Sequence, residues 1–129
     1  YKRKMMKKYI YLFSLQSILL LSCTQPNQKP ILVVDRDSVD IGQINFNDSA
    51  RLLYVLENNG DARLEIKSVG TSCGCSEAYF SDSIINPGSS VELRVGYKAT
   101  DTGHFKKHIV IETNTDTIYK TLVFTGRVK

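Results

Sequence analysis

The chain has 129 residues, 42% of them hydrophobic, with a formal charge of +4, three cysteines and no tryptophan. That length suits one domain, and the composition is that of a globular protein rather than a fibrous or disordered one. Lys2, Arg3, Lys4, Lys7 and Lys8 all precede the first acidic residue; without these five, +4 becomes −1, so the basic character is confined to the N-terminal end and speaks against a nucleic-acid partner.

Residues 1–22 have the three parts of a secretory signal: a basic start, an apolar run from Tyr9 to Leu21, and small residues at the end. The run is broken by Ser14, Gln16 and Ser17 and is short for a bilayer span. Tyr1 is not an initiator, so translation is expected to start at Met5 or Met6. The leader closes on Leu20-Leu21-Ser22-Cys23, followed by Thr24-Gln25-Pro26-Asn27-Gln28. This resembles the lipobox of bacterial lipoproteins, in which the signal is cut before the cysteine, whose sulfur then carries diacylglycerol and whose new amine is acylated. The resemblance implies lipidation of Cys23, a membrane attachment through that anchor, and a place in the bacterial cell envelope, at the outer membrane or on a periplasmic face. Acyl chains contribute about 0.8 kcal/mol per buried methylene, and two or more give lasting attachment. The plainer alternative is an ordinary signal peptide with a stray cysteine.

Thr24 to Pro30 is polar with two prolines and reads as a tether, so residues 23–30 form the lipidated cysteine and its linker. The domain is expected over 31–129. Ile31 to Val34 is a short apolar β-branched run, and Val39, Ile41 and Ile44 follow around Gly42 as a first strand pair or a bent strand. Asn45 to Ser49 is a turn. In Arg51–Asn58, Leu52, Tyr54 and Leu56 fall on one face, with Leu53 and Val55 on the other. Asn58-Asn59-Gly60-Asp61 is a turn signal in which Asn-Gly tolerates positive φ.

Leu64 and Ile66 then alternate with Arg63, Glu65 and Lys67, a strand with one wet face. Asn86-Pro87-Gly88-Ser89 has Pro and Gly where a type II turn needs them. Val91, Leu93, Val95 and Tyr97 make the cleanest alternating strand. After a turn over Thr100–Gly103, Phe105, Lys107, Ile109 and Ile111 share one parity; Leu122, Phe124, Gly126 and Val128 mark the last strand. No segment of helical period appears after residue 30. About seven short strands in roughly 100 residues predict an all-β fold, a single immunoglobulin-like β-sandwich behind a cleaved lipoprotein signal peptide.

Five segments stand out in order and spacing: Val39-Asp40-Ile41-Gly42, Leu56-Glu57-Asn58-Asn59-Gly60, Thr71-Ser72-Cys73-Gly74-Cys75, Ile85-Asn86-Pro87-Gly88 and Thr125-Gly126-Arg127-Val128. Together they resemble a bacterial family filed as domain of unknown function 1573, related to Hydin-type immunoglobulin-like modules. The sequence departs from the family after the second cysteine, where Glu77-Ala78-Tyr79-Phe80 stands in place of a Trp or Pro. The resemblance implies a small β-sandwich, often secreted or lipid-anchored, and no reaction.

Reactive groups concentrate in Thr71-Ser72-Cys73-Gly74-Cys75-Ser76. With Cys23 acylated, Cys73 and Cys75 form an even pair in an oxidising compartment. Three readings stay open. One is a disulfide, which needs a tight turn at Gly74 because alternate residues of an extended strand are about 6.6 Å apart; so small a loop is exchange-prone and adds little chain-entropy stability. The second is a soft metal, copper or zinc, held by two thiolates. Zinc asks for two more ligands, and His104 and His108, about 13 Å apart along a strand, can supply at most one, with His104 the candidate; the plainer reading of both is a solvated strand face. The third is a pair of packed, inert thiols. No His and third group are spaced as a cysteine nucleophile requires, so no enzyme is expected. The expected function is a non-catalytic binding or scaffolding module with an envelope protein partner and no cofactor. The alternative is a metal- or thiol-handling accessory protein that uses Cys73 and Cys75.

Overall fold

The computed structural model describes residues 26–129. Cys23, and with it the leader and start-site expectations, lies outside the described residues. Among the described residues the chain forms no helix and these strands: β1 (Leu32–Val34), β2 (Ser38–Ile44), β3 (Ser49–Asn58), β4 (Leu64–Thr71), β5 (Ser76–Phe80), β6 (Ile84–Ile85), β7 (Ser90–Lys98), β8 (Gly103–Thr113) and β9 (Tyr119–Val128).

The reason is legible in the side-chain period. Successive strand residues point to opposite faces, so alternating apolar residues line one face. In β7, Leu93, Val95 and Tyr97 are buried while Glu92 and Arg94 face water. In β3, Leu52, Tyr54 and Leu56 are buried and Arg51, Leu53, Val55 and Glu57 are exposed. The strands make two sheets, β1-β3-β7-β5 and β2-β9-β8-β4-β6, packed face to face over these residues together with Leu64, Ile66, Ile109, Ile111, Leu122 and Phe124. Each such aliphatic side chain taken out of water contributes about 2 kcal/mol. Tyr97, Phe105 and Phe124 close one end of the core, with ring centroids 4.6 to 6.1 Å apart.

About seven strands were expected; the edge strand β5 and the two-residue strand β6 account for the difference. Ile31–Val34 and Val39–Ile44 do not pair with each other. β1 joins β3 antiparallel, and β2 crosses to the other sheet and runs parallel to β9. The bend at Gly42 is present, with φ +72° and a register shift between Asp40 and Gln43. Gly88 has φ +76°, and the Ser89 amide donates to the Asn86 carbonyl at 3.0 Å, as the Pro-Gly turn requires.

Two features of the β3–β4 turn differ from expectation. Asn58 is fully buried rather than a surface turn residue. Its Oδ1 accepts from the amides of Ile31 (3.2 Å) and Gly60 (3.0 Å), and its Nδ2 donates to the carbonyls of Ala62 (2.7 Å) and Ile85 (2.9 Å). One amide thus ties three segments together. Gly60 is needed for space and not for positive φ: a Cβ there would collide with the Lys29 carbonyl oxygen. The pairing of Lys29 with this turn also shortens the tether. The Lys29 amide donates to Asp61 Oδ1 at 3.0 Å, and the Lys29 carbonyl accepts from the Asp61 amide at 3.1 Å.

Candidate functional site

Thr71 ends β4 in one sheet and Ser76 begins β5 in the other, so Ser72–Cys75 is the bridge over the end of the sandwich. Backbone groups fix both feet. The Ser72 amide donates to the His108 carbonyl at 2.9 Å, the His108 amide donates to Ser72 Oγ at 3.0 Å, and the Lys98 amide donates to the Cys75 carbonyl at 2.9 Å. The Thr71 hydroxyl lies 3.0 Å from the carbonyls of both Cys73 and Ser76, drawing the two ends of the turn inward.

The chain therefore folds sharply at Gly74. The Cα atoms of Cys73 and Cys75 stand 5.2 Å apart, and the two sulfurs are bonded at 2.05 Å. Both cysteines are half-buried and Gly74 is exposed. Their surroundings differ. Cys73 Sγ lies 3.4 Å from Ser76 Oγ, whereas Cys75 lines an open depression of about 450 Å³ with Arg51, Glu77, Lys98 and Thr100. A soft ion would need both sulfurs reduced before it could bind.

His104 is not brought to this turn. It lies opposite Arg127 on β9 and lines a separate depression of about 470 Å³ with Asp40, Gly42 and Gln43. The histidine beside the cysteine turn is His108, through its backbone. Among the described residues, no group of three or more His, Cys, Asp or Glu gathers as metal ligands would.

The depression beside Cys75 continues over Gly96, which has no side chain, into another of about 500 Å³ lined by Arg51, Leu53, Glu77, Tyr79 and Arg94. Here the outer face of the four-stranded sheet is partly apolar: Leu53 is 46% and Tyr79 59% exposed. Leu53, Arg94 and Tyr79 lie in one row across β3, β7 and β5, and Arg94 also reaches Glu92 at 3.0 Å.

β5 is the outer strand of its sheet. The Cys75–Lys98 and Ser81–Glu92 bonds set the phase of its ladder with β7. Since paired and unpaired groups alternate along an edge strand, Glu77 and Tyr79 turn their backbone groups to β7, and Ala78 and Phe80 turn theirs away. Sequence reasoning missed this strand. The alternation of Glu77-Ala78-Tyr79-Phe80 is present, but four residues are too few to distinguish from a loop. Arg51 and Lys98 were invisible as site residues because only the sheet register brings them to Cys75.

The model of the family described as "Protein of unknown function (DUF1573)" matches residues 32–128. No curated protein matches the sequence. A solved protein of unknown function from Porphyromonas gingivalis W83 is similar over 84% of this chain, with 17% identity and a TM-score of 0.70. The match takes in 51% of that protein, so this chain spans about half its length. The PapD-like domain 7 of human CEP192 is similar at 10% identity and TM-score 0.62, over 86% of this chain and 93% of that one. The secreted serine protease VesC from Vibrio cholerae is similar at 15% identity and TM-score 0.60, over 75% of this chain but only 23% of that one. Such identities establish the fold alone: an immunoglobulin-like, PapD-like sandwich.

Proposed function

Because the chain belongs to the family of unknown function DUF1573, a membership that carries a fold and no reaction, we propose that it is a non-catalytic binding or scaffolding module, held by lipid on Cys23 to the bacterial cell envelope. The observation that carries the binding role is the open edge of β5 beside a partly apolar sheet face. An unpaired strand edge offers amides and carbonyls in a row, and an extended segment of a partner protein satisfies them by adding a strand. Tyr79, Leu53 and Arg94 would supply side-chain contacts on the same face, an aromatic and an arginine being the residue types that dominate interface energies. The basic leader and the Leu-Leu-Ser-Cys sequence ending at Cys23 support the anchor. The partner is then another envelope protein at the outer membrane or a periplasmic face.

The test is a photo-crosslinkable residue at Tyr79, in cells, with and without Ala78→Pro. Proline at Ala78 removes an amide that points away from the sheet, so it leaves the β7 ladder intact while blocking strand addition. A discrete cross-linked species that disappears with Ala78→Pro supports the proposal, and one unaffected by it refutes the edge. Labelling by a radioactive fatty acid that is lost in Cys23→Ala supports the anchor; an unlabelled protein in the soluble fraction refutes it.

A further inference from the structure

We propose that the Cys73–Cys75 bridge is a thiol–disulfide exchange site, in which Cys75 is the sulfur attacked by an incoming thiolate and Cys73 the sulfur that leaves. This goes beyond docking at the β5 edge and does not depend on it. The two cysteines are half-buried alike but differ in their surroundings. Cys75 lines the open depression beside Arg51 and Lys98, and Cys73 does not. An approaching thiolate meets those two cations against the single carboxylate of Glu77, an environment that draws in the charged nucleophile.

Cys73 is placed to leave. A bridged sulfur has no proton, so in the 3.4 Å contact between Cys73 Sγ and Ser76 Oγ the hydroxyl is the donor. That bond strengthens as negative charge develops on Cys73, because hydrogen bonds to ionised acceptors are the stronger ones. Ser76 is only 6% exposed, which shields the contact from competing water. The bridge also closes a loop with one residue between its cysteines, at an exposed glycine, and accessible bridges of this kind are the labile ones.

The substrate class is a reduced cysteine pair, a dithiol, on a partner. One partner thiolate bonds to Cys75 Sγ; the Cys73–Cys75 bond breaks, and its electron pair goes to Cys73 Sγ, which takes a proton from water. The second partner thiol, as thiolate, then attacks the partner sulfur of the mixed disulfide and releases Cys75 as a thiolate. The partner ends oxidised to a disulfide, and Cys73 and Cys75 end reduced.

The test uses the full chain carrying Cys23→Ser, so that only this pair is read. Dithiothreitol serves as the dithiol probe and glutathione marks the sulfur attacked; acid-stopped samples are read by intact mass and peptide mapping. Opening in native buffer, with glutathione found on Cys75, is expected. Ser76→Ala should slow native opening about fivefold, the loss of a donor to a half-developed thiolate, and leave the rate in denaturant unchanged. Lys98→Gln, at an exposed position, should slow anionic glutathione more than neutral dithiothreitol, and it decides the matter even if Ser76→Ala fails to fold. A bridge that opens only in denaturant, or glutathione on Cys73, overturns the proposal, as does a Lys98→Gln chain that reacts with both probes like the parent.

Discussion

Tyr54 and Asn58 lie on the same buried face of β3, yet their polar atoms fare differently. Among the described residues the buried Tyr54 hydroxyl has no hydrogen-bond partner, and burial pushes its pKa up, with Arg36 opposing the rise and nearby Asp35 adding to it. A buried polar group left unpaired costs its full desolvation. Tyr54→Phe should therefore raise stability by about 1 kcal/mol in urea denaturation, and a loss of stability would contradict this account. Asn58 makes all four of its amide bonds. Asn58→Ala strands two amides and two carbonyls, and should cost about 3 kcal/mol or more in the same measurement. A cost within the ordinary surface range of about 0.5 kcal/mol would remove Asn58 from its central place. In sequence Asn58 looks like a turn former, because nothing in a local Asn-Asn-Gly pattern separates an amide closing a turn from one buried across three segments.

At the scale of elements, Asp35 does what the three-residue β1 cannot. Its Oδ1 accepts from the Val55 amide at 2.9 Å and its Oδ2 from Arg36 Nε at 2.7 Å, so a side chain continues the β1–β3 pairing. Burial alone would raise its carboxyl, but the Val55 amide and the Arg36 guanidinium outweigh that and hold it below the usual range. The unfolded chain therefore binds the proton more readily, and stability rises with pH across that interval. It is fully present above the ordinary carboxylate pKa of about 4 and is lost as pH falls through the lower, folded value. Asp35→Asn should flatten the acid side of a melting-temperature profile recorded from about pH 2 to 6; an unchanged slope would sink the assignment. Strands with four inward apolar residues, such as β7, were legible from alternation alone. The β2–β9 pairing was not, since it joins segments about 80 residues apart and local period carries no information about partners.

For the whole molecule, the core makes the bridge dispensable. A loop this small constrains the unfolded chain little, so a Cys73→Ser, Cys75→Ser double variant should stay folded and lose no more than about 2 kcal/mol; loss of cooperative unfolding would show otherwise. The covalent state of the pair could not be read in advance, because it depends on the sharp fold at Gly74, which Thr71, Lys98 and His108 impose from three different strands.

The clamp on Lys29 sets an orientation. From Cys23 to Lys29 the backbone can reach at most about 21 Å when fully drawn out. Lys29 is fastened at the β3–β4 turn, and β4 runs from that turn to the cysteine bridge, a rise of about 23 Å over its eight residues. If Cys23 carries acyl chains, as proposed, that leash would hold the β3–β4 turn within about 21 Å of the bilayer surface. Gly74, at the far end of β4, would then be the part of the sandwich held away from the lipid, open to a soluble thiol.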